Sequence, residues 1–294
     1  MIECGSISIR PPSEAESLLL PITIGCSHNK CTFCNYNLMQ GKFAIRSLDD
    51  IKKEVDSYIP SVRWSVQRIF LQDGDALVCS QSRLIEVLDY INEKFPNLRR
   101  VTTYGTPQDV LHKSVDDLRE LRQRNLTMIY MGVETGDEEL LIKVCKGVTY
   151  TEMVEAGRRV KESGITLSAT VILGLGGVEG SRMHALGTAK ILTDIDPGYA
   201  AALTLMMMPG IPLYDKLQQG EFSIISPFQA LEELKIIVEN SNFSDCFFAS
   251  NHASNYLPIR GRLPREKDLL IKTIGNSLAK ADPSTLRPES ARAL

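Results

Sequence analysis

The sequence predicts an α/β fold, a partial (βα)6 TIM-type barrel followed by a C-terminal cap of helices and loops. Six short apolar runs alternate with segments of helical periodicity between residues 18 and 206. Such alternation is typical of βαβ units and a parallel sheet. A polar or glycine-rich cluster follows each of the six runs. Because no clear seventh unit follows, we expect a barrel that is open at one side.

The composition restricts the class of protein. The chain has 294 residues, an ordinary length for one barrel. With 43% hydrophobic and 23% charged residues, it matches soluble globular proteins, and we expect no membrane segment. The start Met-Ile-Glu-Cys-Gly lacks the features of a signal peptide, so the seven cysteines are expected in a reducing cytoplasm. A net charge of −3 gives no basic field for a nucleic-acid partner.

The first elements follow from local signals. Residues 1–17 contain Arg10-Pro11-Pro12 and are predicted to form an extended lead-in. The run Leu18–Ile24 is apolar enough for a strand covered on both faces. Ser47 is expected to cap the first helix, with acidic residues in its first turn. The predicted strands and helices that follow are Val66–Leu71, Leu84–Ile91, Leu98–Thr103, Val115–Leu121 and Met128–Val133.

The second half continues the alternation and then changes character. Its predicted barrel elements are two helices, Glu138–Val144 and Thr151–Ser163, the strand Leu167–Leu173, a helix around Ala189 and the strand Tyr199–Met206. We therefore assign residues 18–219 to the barrel. Residues 220–280 are expected to form the cap, with helices near Pro227–Val238 and Pro264–Leu278 on either side of a polar segment, Ser244–Gly261. The polar tail, residues 281–294, is expected to fray.

Three of the seven cysteines stand close together, as Cys26, Cys31 and Cys34, directly after the first predicted strand. Clustered thiols in a chain without secretory features indicate metal ligands before disulfides. Three thiolates on a cubic iron–sulfur cluster leave the fourth iron open to a substrate. The same thiols with His28 would equally make a Cys3His zinc site. The cysteines alone leave both interpretations open.

The position of the unusual clusters favours the iron–sulfur interpretation. Active sites of βα barrels lie on the loops after the C-terminal ends of the strands, and a structural zinc has no reason to share that face. The clusters at these ends are the cysteine stretch, Asp73-Gly74-Asp75, Thr103-Tyr104, Glu134, Gly174–Gly177 and Met206–Gly210.

The cysteine stretch resembles that of the radical SAM superfamily. The commonest spacing there is C-x3-C-x2-C, and this chain has C-x4-C-x2-C, with Phe33 at the usual aromatic position before the last cysteine. The resemblance covers residues 18–215, and the barrel is similar to that of the methylthiotransferase and coproporphyrinogen dehydrogenase branch. It implies a 4Fe–4S cluster that binds S-adenosylmethionine and cleaves it to methionine and a 5′-deoxyadenosyl radical. It also implies an electron donor: a reductase, a flavodoxin or a ferredoxin.

The resemblance assigns roles to several strand-end residues. Asp73-Gly74-Asp75 stands in the place of a Gly-Gly-Glu motif whose backbone receives the methionyl amino group, although Asp and Gly also favour a plain turn. Glu134, in a segment similar to Gly-Val-Glu-Ser-Gly, is expected to reach the ribose hydroxyls, the alternative being a helix-terminal acid. Ile172, Gly174 and Met206 would line the adenine, although a glycine turn and core packing also explain them. Other candidate cofactor contacts are Phe33, Tyr36, Thr103 and Tyr104.

The cap segment is dense in polar side chains. His252, Asn255 and Tyr256 are expected either to line a substrate cavity or to satisfy their own loop backbone. Candidate catalytic residues are His252, Tyr256 and, as a hydrogen donor, Cys246, although such cysteines are more often buried apolar residues. The predicted function is radical chemistry on a small-molecule substrate. The alternatives are an iron–sulfur electron carrier and a zinc-stabilised barrel used for binding.

Overall fold

The computed structural model describes residues 10–293, and the first part of the predicted lead-in lies outside them. Strands and helices alternate along most of this chain. The strands are β1 Leu18–Pro21, β2 Thr23–Ile24, β3 Ala44–Ile45, β4 Arg68–Gln72, β5 Arg100–Tyr104, β6 Leu126–Glu134, β7 Thr166–Leu173, β8 Tyr199–Thr204, β9 Cys246–Ala249 and β10 Arg260–Leu263.

The helices are amphipathic or short. They are α1 Tyr36–Gln40, α2 Leu48–Ser57, α3 Pro60–Ser65, α4 Gln81–Lys94, α5 Pro107–Leu111, α6 Val115–Gln123, α7 Glu138–Lys143, α8 Tyr150–Glu162, α9 Gly177–Ile195, α10 Pro212–Gln218, α11 Pro227–Asn240 and α12 Lys267–Lys280. Within residues 10–293, no helix is both long and apolar enough to cross a membrane.

The chain divides into two compact units. The first contains the described residues up to Asn29, together with Asn35–Met131 and Arg158–Thr166. The second contains Lys30–Cys34, Gly132–Gly157 and the chain from Leu167 onward. The division falls inside the cysteine stretch and inside β6.

The first unit is built on parallel strands in the order β1-β4-β5-β6. Its helices carry buried apolar residues at helical spacing, and α2 packs on α4, which packs on α6. The hydroxyl of Ser47 accepts the Asp50 N–H at 3.1 Å, so the predicted cap of α2 is confirmed. The pair β2–β3 is antiparallel and brings together the two ends of the chain segment that contains the cysteines.

The second unit continues with parallel strands β7, β8 and β9, and β10 lies antiparallel to β9. Helix α11 packs against α9 and α12. Gly164, which follows α8 and belongs to the first unit, has a left-handed φ of 79°, as its predicted role as a helix stop requires.

The predicted α/β class and its six parallel strands are confirmed, with three differences. The first predicted strand ends at Pro21, and Thr23–Ile24 leaves it to pair with β3. In the lead-in, Pro12–Glu14 form a 3₁₀ turn rather than an extended chain. That turn buries Glu14 completely, beside Arg100 and 2.5 Å from the Tyr130 hydroxyl.

The third difference concerns the cap and the tail. The polar segment Ser244–Gly261, for which the sequence analysis predicts no strand, contains β9 and begins β10, and β9 is a seventh parallel strand. The tail does not fray: Leu286 is buried, and Arg287 donates from Nη1 to the carbonyls of His252, Ala253 and Asn255 at 2.8–2.9 Å. Charge-assisted hydrogen bonds of this kind offset the entropy of ordering the tail.

Candidate functional site

In the first unit, Gly74 lies directly beneath the start of the cysteine stretch. A Cβ atom at Gly74 would lie 2.9 Å from the Gly25 carbonyl oxygen and 3.0 Å from the Cβ atom of Cys26. Side-chain atoms do not approach backbone this closely, so only glycine lets the turn after β4 support Cys26 at this distance.

Asp73, on one side of that turn, has a left-handed backbone with φ of 75°. Its Oδ1 accepts a hydrogen bond from the Tyr36 hydroxyl at 3.0 Å, and the Tyr36 ring also touches the position that a Gly74 side chain would need. Burial raises the pKa of Asp73, although Tyr36 and Arg46 oppose the shift. A non-glycine residue in this conformation costs about 1–3 kcal/mol, although aspartate tolerates it in turns better than most residues.

Asp75, on the other side, belongs to a buried pair of carboxyl groups. It is fully buried and accepts a hydrogen bond from the Ser27 hydroxyl, next to Cys26. Burial and then the neighbouring Asp109 raise the pKa of Asp75 to about 8. Among the described residues, no donor reaches the Oδ1 atom of Asp75, and two facing carboxylates can bond only when one keeps its proton. Burial and the neighbouring Asp109 thus both favour the protonated form of Asp75.

The two candidate residues at the end of β5, Thr103 and Tyr104, make backbone hydrogen bonds and aromatic packing contacts. Thr103 is fully buried, and its hydroxyl donates to the Leu71 and Tyr104 carbonyls at 3.3 and 2.9 Å. The Tyr104 ring meets Phe70 edge to face, with 5.1 Å between centroids. Nothing in these contacts points to a cofactor role for either residue.

In the second unit, the segment Lys30–Cys34 is held by its backbone. The Thr32 N–H donates to the Val144 carbonyl at 3.0 Å, and the Thr32 carbonyl accepts the Leu213 N–H at 2.9 Å. Phe33 packs against the core cluster that includes Val144 and Leu213. The aromatic residue thus anchors the segment from inside while Cys31 remains half-buried and Cys34 exposed.

Glu134 ends β6 in a left-handed conformation, with φ of 66°, and is buried. Its Oε1 lies 3.0 Å from the Lys146 ammonium and folds back over Gly132, where a Cβ atom would lie 2.0 Å from it. The alternative role of a helix-terminal acid belongs to Asp137, whose carboxylate accepts the Leu140 N–H at 3.1 Å. Glu134 is therefore available for another purpose.

Lys146 is a further candidate site residue that the sequence analysis missed. Burial lowers its pKa, but the charge of Glu134, followed by those of Cys31 and Cys34, outweighs burial and leaves the pKa raised. The buried Lys146 ammonium thus interacts with the carboxylate that is predicted to bind the ribose. Its pKa also responds to two of the three cysteines that are predicted to bind iron. From the sequence, a lysine just after a helix looks like an ordinary helix-terminal cation.

The predicted adenine residues lie at the ends of β7 and β8. Gly174 has a left-handed φ of 83°, and both its backbone groups have internal partners, because its N–H donates to Glu233 and its carbonyl accepts the Gly177 N–H. It can thus shape the turn but has no N–H to offer a ligand. Ile172 and Met206 are half-buried.

The cap candidates are largely occupied by internal contacts. The side-chain carbonyl of Asn255 accepts a hydrogen bond from the Thr204 hydroxyl, and its side-chain amino group donates one to the Ala202 carbonyl, both at 2.8 Å. The Tyr256 hydroxyl lies 2.9 Å from Glu289 and 2.6 Å from Arg292. The partners of Asn255 thus lie on β8 and those of Tyr256 on the tail, not on the backbone of their own loop. His252 is half-buried, and its Nδ1 lies 3.0 Å from the Ser254 hydroxyl and accepts the Ser254 N–H at 3.2 Å, as the loop-backbone interpretation expects.

Cys246 lies far from the predicted site within its own unit. It is the first residue of β9, and the next residue, Phe247, pairs with Tyr199 at the start of β8. The candidate residues of this unit lie at the other end of these parallel strands. Burial raises the pKa of Cys246 to about 12, so the residue behaves as a buried apolar side chain, and we remove it from the proposed site.

Solved structures define the class of this fold. The crystal structure of methylornithine synthase matches with a TM-score of 0.54 and 16% identity, over 88% of this chain and 69% of that one. Coproporphyrinogen III oxidase from Escherichia coli, described as a radical SAM enzyme, matches with a TM-score of 0.54 and 17% identity, over 76% of this chain and 51% of that one. The fold is that of the radical SAM barrels.

Residues 20–186, more than half of the chain, match the sequence model of the Radical SAM superfamily, and the chain belongs to this family. Enzymes of this family use a 4Fe–4S cluster and S-adenosylmethionine. Membership therefore decides between the cluster and the zinc alternative.

Curated relatives are distant. The heme chaperone HemW of Bacillus subtilis (strain 168) is 22% identical over 250 residues, which cover 79% of this chain and 64% of the relative. The tRNA-2-methylthio-N(6)-dimethylallyladenosine synthase of Cellvibrio japonicus (strain Ueda107) is 24% identical over 70% of this chain and 46% of the relative. Biotin synthase of Methanococcus maripaludis (strain C7 / ATCC BAA-1331) is 25% identical over 72% of this chain and 61% of the relative. The chain thus spans about half to two-thirds of their lengths.

The donor chemistry of the cysteine stretch fits the cluster, although no group of three metal-ligating side chains is assembled among the described residues. Thiolates are the ligands of such clusters, and Lys146 places positive charge near Cys31 and Cys34. The close packing of Gly74 under Cys26 supports the third ligand.

Proposed function

We propose that this chain reductively cleaves S-adenosylmethionine and directs the resulting radical at a small-molecule substrate. One observation carries the proposal: a single buried ammonium, that of Lys146, interacts with Glu134 and with two cysteines of the predicted ligand set. A purely structural metal site would not need a buried carboxylate at this place. When bound, the cluster supplies the electron that breaks the C5′–S bond of S-adenosylmethionine.

The residues of the chain divide the remaining tasks. Cys26, Cys31 and Cys34 would hold the cluster. Glu134 would accept hydrogen bonds from the ribose hydroxyls, because a carboxylate has acceptor sites for several donors. The backbone around Gly74 would receive the methionyl amino group, and Ile172 would contact the adenine.

His252 is the residue proposed to contact the substrate. The polar side-chain atoms of Asn255 and Tyr256 are engaged with β8 and with the tail. We therefore propose that His252, whose Nδ1 bonds Ser254, faces the substrate with its other ring nitrogen. Burial, and secondarily Arg287, lowers its pKa, so a neutral imidazole would be presented. A reductase, flavodoxin or ferredoxin would supply electrons, and the proposed setting is the cytoplasm, where thiols stay reduced.

The test is substrate-free cleavage. Anaerobically reconstituted protein is mixed with S-adenosylmethionine and a chemical reductant, and methionine and 5′-deoxyadenosine are quantified by chromatography. We expect both products in equal amounts from the wild type and neither from Cys34→Ala. A reconstituted cluster that gives neither product would instead support the electron carrier.

A further inference from the structure

A carboxylate from α11 lies buried beneath the turn that follows β7. Glu233 has no exposed surface. Its Oε2 accepts a hydrogen bond from the Gly174 N–H at 2.7 Å, and its Oε1 accepts one from the Ser181 hydroxyl of α9 at 2.7 Å. Both oxygens are thus used to hold the turn, and an N–H donor bonded to a charged acceptor is among the stronger contacts in a protein.

A buried histidine extends this network to the end of β6. The Nε2 atom of His184 lies 3.0 Å from the Ile172 carbonyl, which can only accept, so Nε2 carries the proton. Its Nδ1 then accepts from the Thr135 hydroxyl at 2.8 Å. The same Nε2 lies 3.8 Å from Oε2 of Glu233. Thr135 directly follows Glu134, so one ring connects the carboxylate loop with the end of β7.

We infer that Glu233 and His184 are positioning residues for the nucleoside of the cofactor, fixing the Gly174 turn and the Glu134 loop in one geometry. The inference rests on the proposed function, because it assigns these loops to the nucleoside. Neither residue belongs to the candidate site, and Glu233 lies outside the span that matches the family.

The network contains one group that titrates near neutral pH. Burial raises the pKa of Glu233 to about 7 and lowers that of His184 to about 4. The groups facing the Glu233 carboxylate are the Gly174 N–H from the end of β7, with Ser181 and His184 from α9. The ionised carboxylate accepts both hydrogen bonds, whereas protonation removes the charge that strengthens the contact with the Gly174 N–H and makes one oxygen a donor. Nucleoside binding should therefore tighten as the pH rises through about 7.

The experiment measures binding rather than turnover. Calorimetry of 5′-deoxyadenosine with the reconstituted protein is repeated across the neutral range, where this ligand does not titrate. We expect Glu233→Gln to bind about tenfold more weakly above neutral pH, the effect of losing roughly one hydrogen bond, and to lose the pH dependence. Glu232→Gln, at an exposed position on the same helix, should match the wild type, and iron content should be the same in all proteins.

A second variant keeps the test independent of folding defects. Ser181→Ala removes one donor that stabilises the ionised carboxylate, so the midpoint of the pH dependence should move to higher pH. Equal affinity and equal pH dependence in the wild type, Glu233→Gln and Ser181→Ala would overturn the inference and leave the proposed function intact. A wild type that binds neither 5′-deoxyadenosine nor S-adenosylmethionine would overturn the proposed function itself.

Discussion

The ammonium of Lys146 lies 3.0 Å from Oε1 of Glu134, and the two side chains are only 10% and 11% exposed. Breaking one partner of a buried ion pair typically costs about 3–5 kcal/mol, because the other charge remains buried alone. Here the pair also lies at a left-handed strand end, since Glu134 has a φ of 66°. Burying two charges and holding a left-handed residue both cost free energy, so the pair contributes little net stability to the fold. A role in binding explains its presence better.

The pair can be tested by separating affinity from stability. Glu134→Gln should weaken S-adenosylmethionine binding by about 1.5–3 kcal/mol, roughly ten- to a hundredfold, because a charge-assisted hydrogen bond is lost. Lys146→Met should lower the melting temperature, and adding Glu134→Gln to it should restore stability but not binding. The matched control is Glu139→Gln, whose exposed pair with Lys143 should affect neither. Unchanged affinity in Glu134→Gln would return Glu134 to a structural role.

The ligand assignment makes a sharper prediction. Replacing Cys26, Cys31 or Cys34 by alanine should abolish the visible sulfur-to-iron absorption and the bound iron, because each thiolate holds one iron of the cluster. His28→Ala and Cys79→Ala should keep both properties. Loss of metal in His28→Ala as complete as in the cysteine variants would show that the ligand set is Cys3His.

Gly74→Ala should reduce iron content without unfolding the protein. Its Cβ atom would lie 2.9–3.0 Å from Gly25 and Cys26, so the cysteine stretch must move. Gly275→Ala is the control, because open space surrounds that position in α12 and alanine favours a helix. Iron is measured after anaerobic reconstitution. Equal iron in both variants would mean that the turn tolerates the displacement.

The raised pKa of Asp75 makes the stability of the fold depend on pH. The pKa is about 8 in the fold against an ordinary value of 3.8, so the stabilising contribution is complete below pH 3.8 and is lost progressively until the pH has risen through about 8. The melting temperature should therefore fall between about pH 4 and about pH 8 and level off above that. Asp75→Asn, which mimics the protonated form, should show a flatter decline. A decline as steep in Asp75→Asn as in the wild type would contradict the raised pKa.

The contact between tail and cap can be followed by hydrogen exchange. Arg287→Ala removes three charge-assisted hydrogen bonds to the backbone of residues 252–255. Amide exchange there should accelerate roughly ten- to a hundredfold, for a loss of about 1.5–3 kcal/mol. Arg265→Ala is the control, because that side chain is 75% exposed. Unchanged exchange in Arg287→Ala would show that other contacts order the segment.

The sequence by itself determined the strands and helices, and it indicated that the candidate site lies at the C-terminal ends of the strands. Apolar runs such as that of β7 and the cap at Ser47 are local signals, readable because strand and helix have fixed periods. Parallel βαβ connections then bring the C-terminal ends of successive strands to one edge. This reasoning located the cysteine stretch and Glu134 at strand ends, and the resemblance to the radical SAM superfamily supplied their expected roles.

Only the tertiary structure decided which side chains meet. Glu233 reaches Gly174 across 59 residues, and neither residue carries a local sign of the other. The strand Arg260–Leu263 contains two arginines and a glycine, and it is extended because β9 offers it hydrogen bonds, not because of its propensity. Burial, the origin of the raised pKa of Asp75 and Glu233, is likewise a property of packing. Local periodicity specifies which face of each strand or helix is buried, whereas the partners of a buried charge depend on distant parts of the chain.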